Sequence, residues 1–211
     1  CSSVIGDKIA LNYAEYVLTE AGFGADLGFE KFIHIKSRLS NLNPHAVVLV
    51  ATIKGLKYHG GVKVKDLDQE NTLALSAGLS NLSHLIKVIK SFGLPVIVAI
   101  NKFSNDTHSE IEIVRQGSIE AGAAAAIPNS SFINGGEGCR DLAEAVIALT
   151  PDSPPKINYA YELSDSIEDK VLALSKLVYN ASDVDWSLKS RKIARRYTEL
   201  GWDNTPICMA K

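Results

Sequence analysis

The strongest constraint on the fold is a short apolar run that gives way at once to basic residues and glycine. An apolar run over residues 46–52 leads into IKGLKYHGG, which carries Lys54, Lys57, His59, Gly60 and Gly61. Such a run, rich in valine and bounded by turn residues, predicts a buried strand of a parallel sheet. Ligands of open α/β sheets bind where the strands end, and glycine lets the backbone approach closely. We therefore expect this basic loop to face an anion.

The pattern repeats along the chain and predicts an α/β fold with a parallel sheet and flanking helices. Strands are predicted over residues 16–20, 46–52, 95–101 and 123–127. Helices are predicted over residues 6–15, 29–39, 69–92, from Thr107 onward, and over 139–149. Thr107 and Glu110 have the spacing of a capping box, which marks the start of a helix. Strands that alternate with helices favour parallel pairing through crossover connections.

A change of character after residue 150 predicts a domain boundary. The sequence PDSPPKIN has three prolines, which cannot continue a helix. Two amphipathic helices follow, over residues 166–179 and 187–200. We assign residues 1–150 to one domain and residues 151–211 to a linker and the start of a second. Because the chain begins at Cys1 and stops after PICMAK, we expect it to be a piece of a longer polypeptide.

Composition argues against several classes of partner. The formal net charge is -2, and the most basic stretch, residues 191–196, is typical of the solvated face of a helix. No apolar run approaches the roughly 20 residues of a membrane span. Three cysteines, Cys1, Cys139 and Cys208, lack metal-site spacing. We expect a reduced, cytoplasmic protein without a metal site, a nucleic-acid partner or a membrane partner.

The histidines give no sign of a metal site either. His34, His45, His84 and His108 are not spaced as ligands, and we expect them on helices or on the surface.

A glycine-rich loop is predicted between the first strand and its helix. It reads TEAGFGADLG, in which Gly22 and Gly24 flank Phe23, with Glu20 before them and Asp26 after. The loop differs from the dinucleotide fingerprint GxGxxG by one extra residue between Gly24 and Gly28. The glycines could simply make a turn and Phe23 could lie in the core. The collection of Glu20, Phe23 and Asp26 at a strand end favours a functional loop.

The third predicted strand ends in NKFSNDT, which is similar to the guanine-reading NKxD of GTPases. Ser104 stands where the aspartate would be, and Asp106 lies two residues further on, so guanine selection is not supported. Asn101 could still line a nucleotide pocket. Phe103 could cap the core or stack on a planar ligand.

The fourth predicted strand leads into a second glycine-rich segment, IPNSSFINGGEGC. Phe132 precedes Gly135, Gly136, Glu137 and Gly138, a composition that suits an anion nest, a lid or a plain flexible connection. Phe103 and Phe132 could together sandwich a flat heterocycle. No GxxxxGK[ST] phosphate loop occurs in the chain.

Four segments in this order, EAGFGADLG, VATIKGLKYHGG, PVIVAINKFSNDT and NGGEG, resemble formate–tetrahydrofolate ligases of the bacterial monofunctional type. The resemblance covers the whole chain. It implies the C-terminal part of a P-loop NTPase-like nucleotide-binding domain, followed by the start of a smaller α/β domain. It also implies an interior portion of the enzyme, with the phosphate loop before Cys1.

The resemblance implies that ATP, with Mg²⁺, converts formate into formyl phosphate, whose formyl group passes to tetrahydrofolate. A monovalent cation and a homotetramer are further implications. Phe103 and Phe132 would stack on the pterin. The implied catalytic residues are Glu20, Asp26 and Lys54. The implied formate and phosphate pocket contains Gly22, Phe23, Gly24, His59 and Gly60. The implied nucleotide-binding residues are Asn101, Gly135, Gly136, Glu137 and Gly138.

The sequence departs from the family pattern at several positions. Lys54 stands where the family has arginine, and it keeps the charge but not the bidentate fork. Gly55, Tyr58 and Phe132 stand where alanine, methionine and tryptophan are usual. Two other hypotheses therefore stay open: a non-catalytic paralogue that keeps the fold, and a GTPase-like nucleotide-binding switch.

Overall fold

The structure is a computed structural model that describes residues 3–210, and it divides into two compact units. Cys1–Asn43 and Ile157–Lys211 form the first, which we call the discontinuous unit. Pro44–Lys156 forms the second, which we call the sheet unit. The helices in chain order are α1 (Val4–Ala10), α2 (Arg38–Ser40), α3 (Ile53–His59), α4 (Thr72–Ser91), α5 (His108–Glu120), α6 (Ser131–Asn134), α7 (Arg140–Leu149), α8 (Ile167–Tyr179) and α9 (Leu188–Glu199).

The sheet unit contains three parallel strands in the order β1 (Val47–Thr52), β2 (Val96–Asn101) and β3 (Ala125–Asn129). Their flanking helices confirm the predicted α/β class. The central strand β2 is buried along almost its whole length. Strand β1 lies at an edge of the described sheet, and Val50 is 57% exposed. The predicted strand is present in a parallel sheet, but it is only partly buried, because no described strand pairs with its outer side.

The segment after β1 is a helix and not the predicted loop. The side chain of Thr52 accepts a hydrogen bond from the Gly55 N–H at 3.1 Å, which caps the first turn of α3. Two glycines then allow α3 to pack closely against α4. A Cβ on Gly60 would lie 1.9 Å from the carbonyl oxygen of Ala74, and one on Gly78 would lie 1.9 Å from that of Leu56.

Helix α4 carries buried leucine and isoleucine along one side, as its periodicity predicts. By length and composition alone, it is apolar enough to cross a membrane, contrary to the expectation that no run would pass that test. The core helix of a globular domain passes the same test. Leu75, Leu82, Ile86 and Ile89 are buried inside the sheet unit, and 33% of the apolar stretch is buried in all.

The start of α5 agrees in detail with its sequence signal. The Thr107 side chain accepts from the Glu110 N–H, and the Glu110 carboxylate accepts from the Thr107 N–H, which completes the predicted capping box. Helix α7 also follows the prediction to within a residue.

The discontinuous unit contains no strand within residues 3–43 or 157–210, so the strand predicted over residues 16–20 was wrong. Tyr16 and Leu18 are 43% and 81% exposed, and a strand without a hydrogen-bonded neighbour is not stable. The helix predicted from residue 29 begins earlier, with π-helical segments at Gly24–Phe29 and Phe32–Ser37 before α2.

His34 lies on this helical stretch, as expected, but it is fully buried. Its Nδ1 lies 2.8 Å from the Glu30 carboxylate, and its Nε2 accepts from the Ala160 N–H at 3.1 Å. His34 therefore joins the helical stretch to the segment before α8. Helices α8 and α9 match the predicted residues 166–179 and 187–200 closely, and the basic residues of α9 are exposed.

Candidate functional site at the carboxyl edge of the sheet

The carboxyl ends of the three strands lie side by side. Thr52 is in register with Asn101, and Asn101 with Asn129. The Asn129 side-chain amide donates to the Asn101 Oδ1 at 2.9 Å. The Asn129 Oδ1 in turn accepts from the Ser131 N–H at 3.1 Å, at the start of α6. Asn129 thus connects the predicted nucleotide residue Asn101 to the short helix that carries Phe132.

Phe103 follows β2 in a tight turn that a buried carboxylate stabilises. The Phe103 N–H donates to the Asp106 Oδ2 at 2.7 Å, and the Asp106 N–H donates to the Phe103 carbonyl oxygen at 3.2 Å. Asp106 is 8% exposed, whereas the Phe103 side chain is 41% exposed. Burial raises the pKa of Asp106, against the opposing effect of the hydrogen bond from Phe103. The turn therefore presents the aromatic ring to solvent on a fixed backbone.

Lys54 lies in the first turn of α3, beside this aromatic ring. Its Nζ is 5.3 Å from the centroid of the Phe103 ring, within range of a cation–π interaction. The same Nζ is 2.5 Å from the Asp68 carboxylate. Hydrogen bonds from Lys54 and Asn105 lower the pKa of Asp68. The charge of the predicted catalytic lysine is therefore already paired with a carboxylate.

Lys57 is not at the exposed edge, where the sequence pattern predicted it. It is fully buried, with its Nζ 2.9 Å from the Glu110 carboxylate and 2.9 Å from the Gln69 carbonyl oxygen. Burial raises the pKa of Glu110, but hydrogen bonds from Lys57 and from the Asn71 and Thr107 N–H groups outweigh it and lower the pKa. The prediction was wrong because the segment is helical, and α3 directs the Lys57 side chain inward, toward α5.

His59 and Gly60 end α3. His59 is exposed and makes an edge contact with the Tyr58 ring, with centroids 6.3 Å apart. Gly60 has an ordinary φ of -78°, and its close approach to Ala74 explains the glycine without a ligand. Gly61 has a φ of +92°, which favours glycine.

Phe132 is 93% exposed on α6, directly before the second glycine segment. Gly135 has a φ of +59° and Gly136 has open space around it. Glu137 pairs with Arg140 at 2.6 Å on the surface. Close packing explains the glycine at position 138. Its carbonyl oxygen accepts from the Ser130 N–H at 2.9 Å, and a Cβ would lie 2.6 Å from the Ser130 carbonyl carbon.

The remaining predicted residues belong to the discontinuous unit. Gly22 and Gly24 have φ values of +92° and +79°, so this loop needs glycine at both positions. Phe23 between them is 96% exposed and does not lie in the core of this unit. The Asp26 carbonyl oxygen accepts from the Tyr179 hydroxyl at 2.7 Å. Glu20 is an exposed residue of the irregular segment before Gly22.

The sheet unit thus brings together Lys54, Asn101, Phe103 and the start of the Phe132 segment at one edge. Three polar residues that position them were missing from the sequence-based site: Asp68, Asp106 and Asn129. Asp106 was noticed in the sequence as the aspartate that lies two residues beyond its usual place in the NKxD motif, but no role was predicted for it. Asp68 and Asn129 act across long stretches of sequence, and no local pattern marks them.

An aromatic ring, carboxamides and a paired cation suit a flat, polar heterocycle better than a nucleophilic reaction centre. Within residues 3–210, no three His, Cys, Asp or Glu side chains are grouped so that they could hold a metal ion. Cys139 and Cys208 are unpaired thiols, and Cys1 lies outside the described residues.

Comparison with known proteins gives the same family along the whole chain. The model of the formate–tetrahydrofolate ligase family matches residues 1–211. A formate–tetrahydrofolate ligase of Limosilactobacillus reuteri is 41% identical over 212 residues, which cover 100% of this chain and 38% of that protein. One of Bacillus licheniformis is 45% identical over 210 residues, covering 100% of this chain and 37% of that protein. The chain therefore spans less than half the length of these curated relatives.

Proposed function

The chain belongs to the formate–tetrahydrofolate ligase family, and we propose that it forms part of an enzyme that uses ATP to join formate to tetrahydrofolate. The observation that carries this proposal is the match along all 211 residues, which includes every segment at the carboxyl edge of the sheet. The product would be formyltetrahydrofolate, with ADP and phosphate released.

The proposed reaction proceeds through formyl phosphate. Formate attacks the terminal phosphorus of ATP, and the bond to ADP breaks. The aryl amine of tetrahydrofolate then attacks the formyl carbon, phosphate leaves, and the nitrogen gives up its proton. Phosphoryl transfer of this kind depends on positioning and charge neutralisation more than on covalent chemistry by the protein. Mg²⁺ would arrive with the ATP phosphates, as is usual for this ion.

In this proposal the sheet unit receives the folate. Phe103 and Phe132 would stack on the pterin, and Asn101 with the segment from Gly135 to Gly138 would lie near the nucleotide. The exposure of both aromatic rings supports the first role, because an exposed ring has a face available for stacking. Phe103 is also fixed at its backbone, which reduces the entropy lost on binding.

The loop with Glu20, Gly22, Phe23, Gly24 and Asp26 would border the formate and phosphate. The 96% exposed Phe23, between two glycines of positive φ, supports a loop formed for binding rather than for packing. In the sheet unit, His59 and Gly60 are proposed to contact formate or phosphate as well. The support is weakest for Gly60, since helix packing already explains that residue.

We expect residues 1–211 alone to be inactive, since they contain no GxxxxGK[ST] phosphate loop. A cytoplasmic homotetramer that responds to a monovalent cation is part of the same proposal.

The test is ATP- and formate-dependent formation of formyltetrahydrofolate by the complete polypeptide that carries this chain. Product should appear with ATP and should disappear when formate, ATP or the folate is left out. Folate binding without any product would favour the non-catalytic paralogue. Product with GTP but not with ATP would favour a GTP-dependent protein.

A further inference from the structure

Phe103 is contacted by a connected set of polar residues, and this inference rests on the proposed function. Lys54 Nζ lies 5.3 Å from the centroid of the Phe103 ring and 2.5 Å from the Asp68 carboxylate. Asp68 is hydrogen-bonded in turn by the side chain of Asn105. Because Asn105 belongs to the same turn as Phe103, the contacts lead from the ring through Lys54 and Asp68 back to that turn. We call Lys54 and Asp68 the ring clamp.

The ring clamp and Asp106 fix different parts of Phe103. The Asp106 carboxylate accepts a hydrogen bond from the Phe103 N–H at 2.7 Å, so the backbone of the turn is stabilised without Lys54. The backbone hydrogen bond does not fix the rotation of the ring about its side-chain bonds, whereas Lys54 lies over one face of the ring. At 41% exposure, the residue still presents much of its surface to solvent. Because Lys54 occupies one face, a flat ligand that stacks on Phe103 would have to use the opposite face.

Charge makes Lys54 a weak anion ligand in this arrangement. The Asp68 carboxylate cancels the charge of the ammonium for any group more than a few ångströms away. The other group beside the ammonium is the Phe103 ring, which presents a negative face to it. An arriving phosphate or carboxylate would have to displace Asp68 and would meet its repulsion. A neutral pterin meets no such penalty.

We propose that Lys54 and Asp68 are positioning residues for folate, which hold the Phe103 ring so that the pterin stacks on the face opposite Lys54. This differs from the pocket role suggested for Lys54 by its place after β1. Under the present proposal, the loss of Lys54 changes folate affinity and leaves the handling of formate and ATP almost unchanged.

The test uses the complete polypeptide with three variants, Lys54→Met, Lys54→Arg and Asp68→Asn. Glu112→Gln is the matched control, since it removes an exposed ion pair with Arg115 on α5 of the same unit. The dissociation constant of tetrahydrofolate is measured by calorimetry, and the KM values for folate, formate and ATP are measured together with kcat. Circular dichroism shows that each variant is folded.

We expect Lys54→Met to raise the folate dissociation constant and KM roughly two- to fivefold, the size of one exposed cation–π contact. Asp68→Asn should act in the same direction, because it releases the lysine. Lys54→Arg should keep the folate affinity of the parent, since guanidinium also stacks on aromatic rings. Formate and ATP KM values, kcat and the control should stay within twofold of the parent.

Two results would overturn the inference. One is a tenfold or larger effect of Lys54→Met on kcat or on the KM for formate or ATP, with folate binding unchanged, which would make Lys54 an anion ligand. The other is no effect of Lys54→Met or Asp68→Asn on folate affinity. Absence of product from the parent protein would instead contradict the proposed function, and the calorimetric folate titration would still decide the role of the ring clamp.

Discussion

The Lys57 ammonium and the Glu110 carboxylate lie 2.9 Å apart, with side chains only 1% and 0% exposed. The pair connects α3, which follows the first strand, to α5, which follows the second. Further hydrogen bonds reach the pair: the lysine also donates to the Gln69 carbonyl oxygen, and the glutamate also accepts from the Asn71 and Thr107 N–H groups. The pair therefore joins the helices that follow β1 and β2.

Removal of Lys57 should destabilise the fold strongly, because it leaves Glu110 buried without its counter-charge. We expect Lys57→Met to lower the free energy of unfolding by about 3–5 kcal/mol, as measured by urea denaturation of the chain. Glu110→Gln added to Lys57→Met should recover part of that loss, because the amide is uncharged and its oxygen can still accept one of the two backbone hydrogen bonds from Asn71 and Thr107. Arg115→Met, which breaks an exposed pair, should cost less than about 1 kcal/mol. A loss for Lys57→Met as small as for this control would contradict the prediction.

The sequence signals that succeeded were local ones. Thr107 and Glu110 act over three residues, so their capping box is visible in the sequence and is present in the structure. Lys57 was misplaced for a related reason. The helix cap at Thr52 was not recognised, and a helix after β1 turns Lys57 toward a partner more than fifty residues away. Spacing alone does not show such a partner.

Acid should destabilise the sheet unit through Glu110. Its hydrogen bonds hold its pKa below the ordinary 4.5, so below that pH the unfolded chain binds more protons and stability falls as pH falls. The raised pKa of Asp106 has the opposite effect on the pH dependence of stability. The folded state keeps a proton above the ordinary 3.8, so this group contributes stability that is lost as pH rises through its folded pKa.

The two carboxyl groups can be separated by substitution. We expect the free energy of unfolding, measured from pH 7 to pH 3, to fall less steeply toward acid in Glu110→Gln than in the parent. It should fall more steeply in Asp106→Asn. The slopes matter here, because each substitution also changes stability at neutral pH. Slopes that change in the same direction in both variants would contradict the assigned pKa directions.

Gly60 and Gly78 should be needed for packing α3 against α4. A Cβ at either position would lie 1.9 Å from a carbonyl oxygen of the opposite helix, so the helices would have to separate. We expect Gly60→Ala and Gly78→Ala each to cost at least about 1–3 kcal/mol of unfolding free energy in thermal or urea denaturation. Gly136→Ala, with open space around it, is the control and should be nearly neutral. Tolerance of both packing variants would show that the helices can adjust.

About half of the candidate site could be predicted from the sequence. Asn101 and Phe103 stand at the end of an apolar strand, and parallel strands place their ends at one edge, so their position at this edge could be predicted. Their partners were not, because Asp68 and Asn129 reach the site from other segments. Gly60 shows the converse difficulty. A glycine needed for close helix packing looks the same in sequence as one that approaches a ligand.

The folate assignment of Phe103 has a direct test in the complete polypeptide. Phe103→Ala removes the aromatic face but keeps the backbone hydrogen bond to Asp106, so the turn should persist. Stacking of a heterocycle on an aromatic side chain is worth about 1–3 kcal/mol, which corresponds to roughly a 5- to 150-fold rise in the folate dissociation constant. Phe103→Tyr keeps the face and should bind folate normally. Equal folate affinity in the alanine variant, measured by calorimetry, would remove Phe103 from the site and with it the geometry proposed for Lys54.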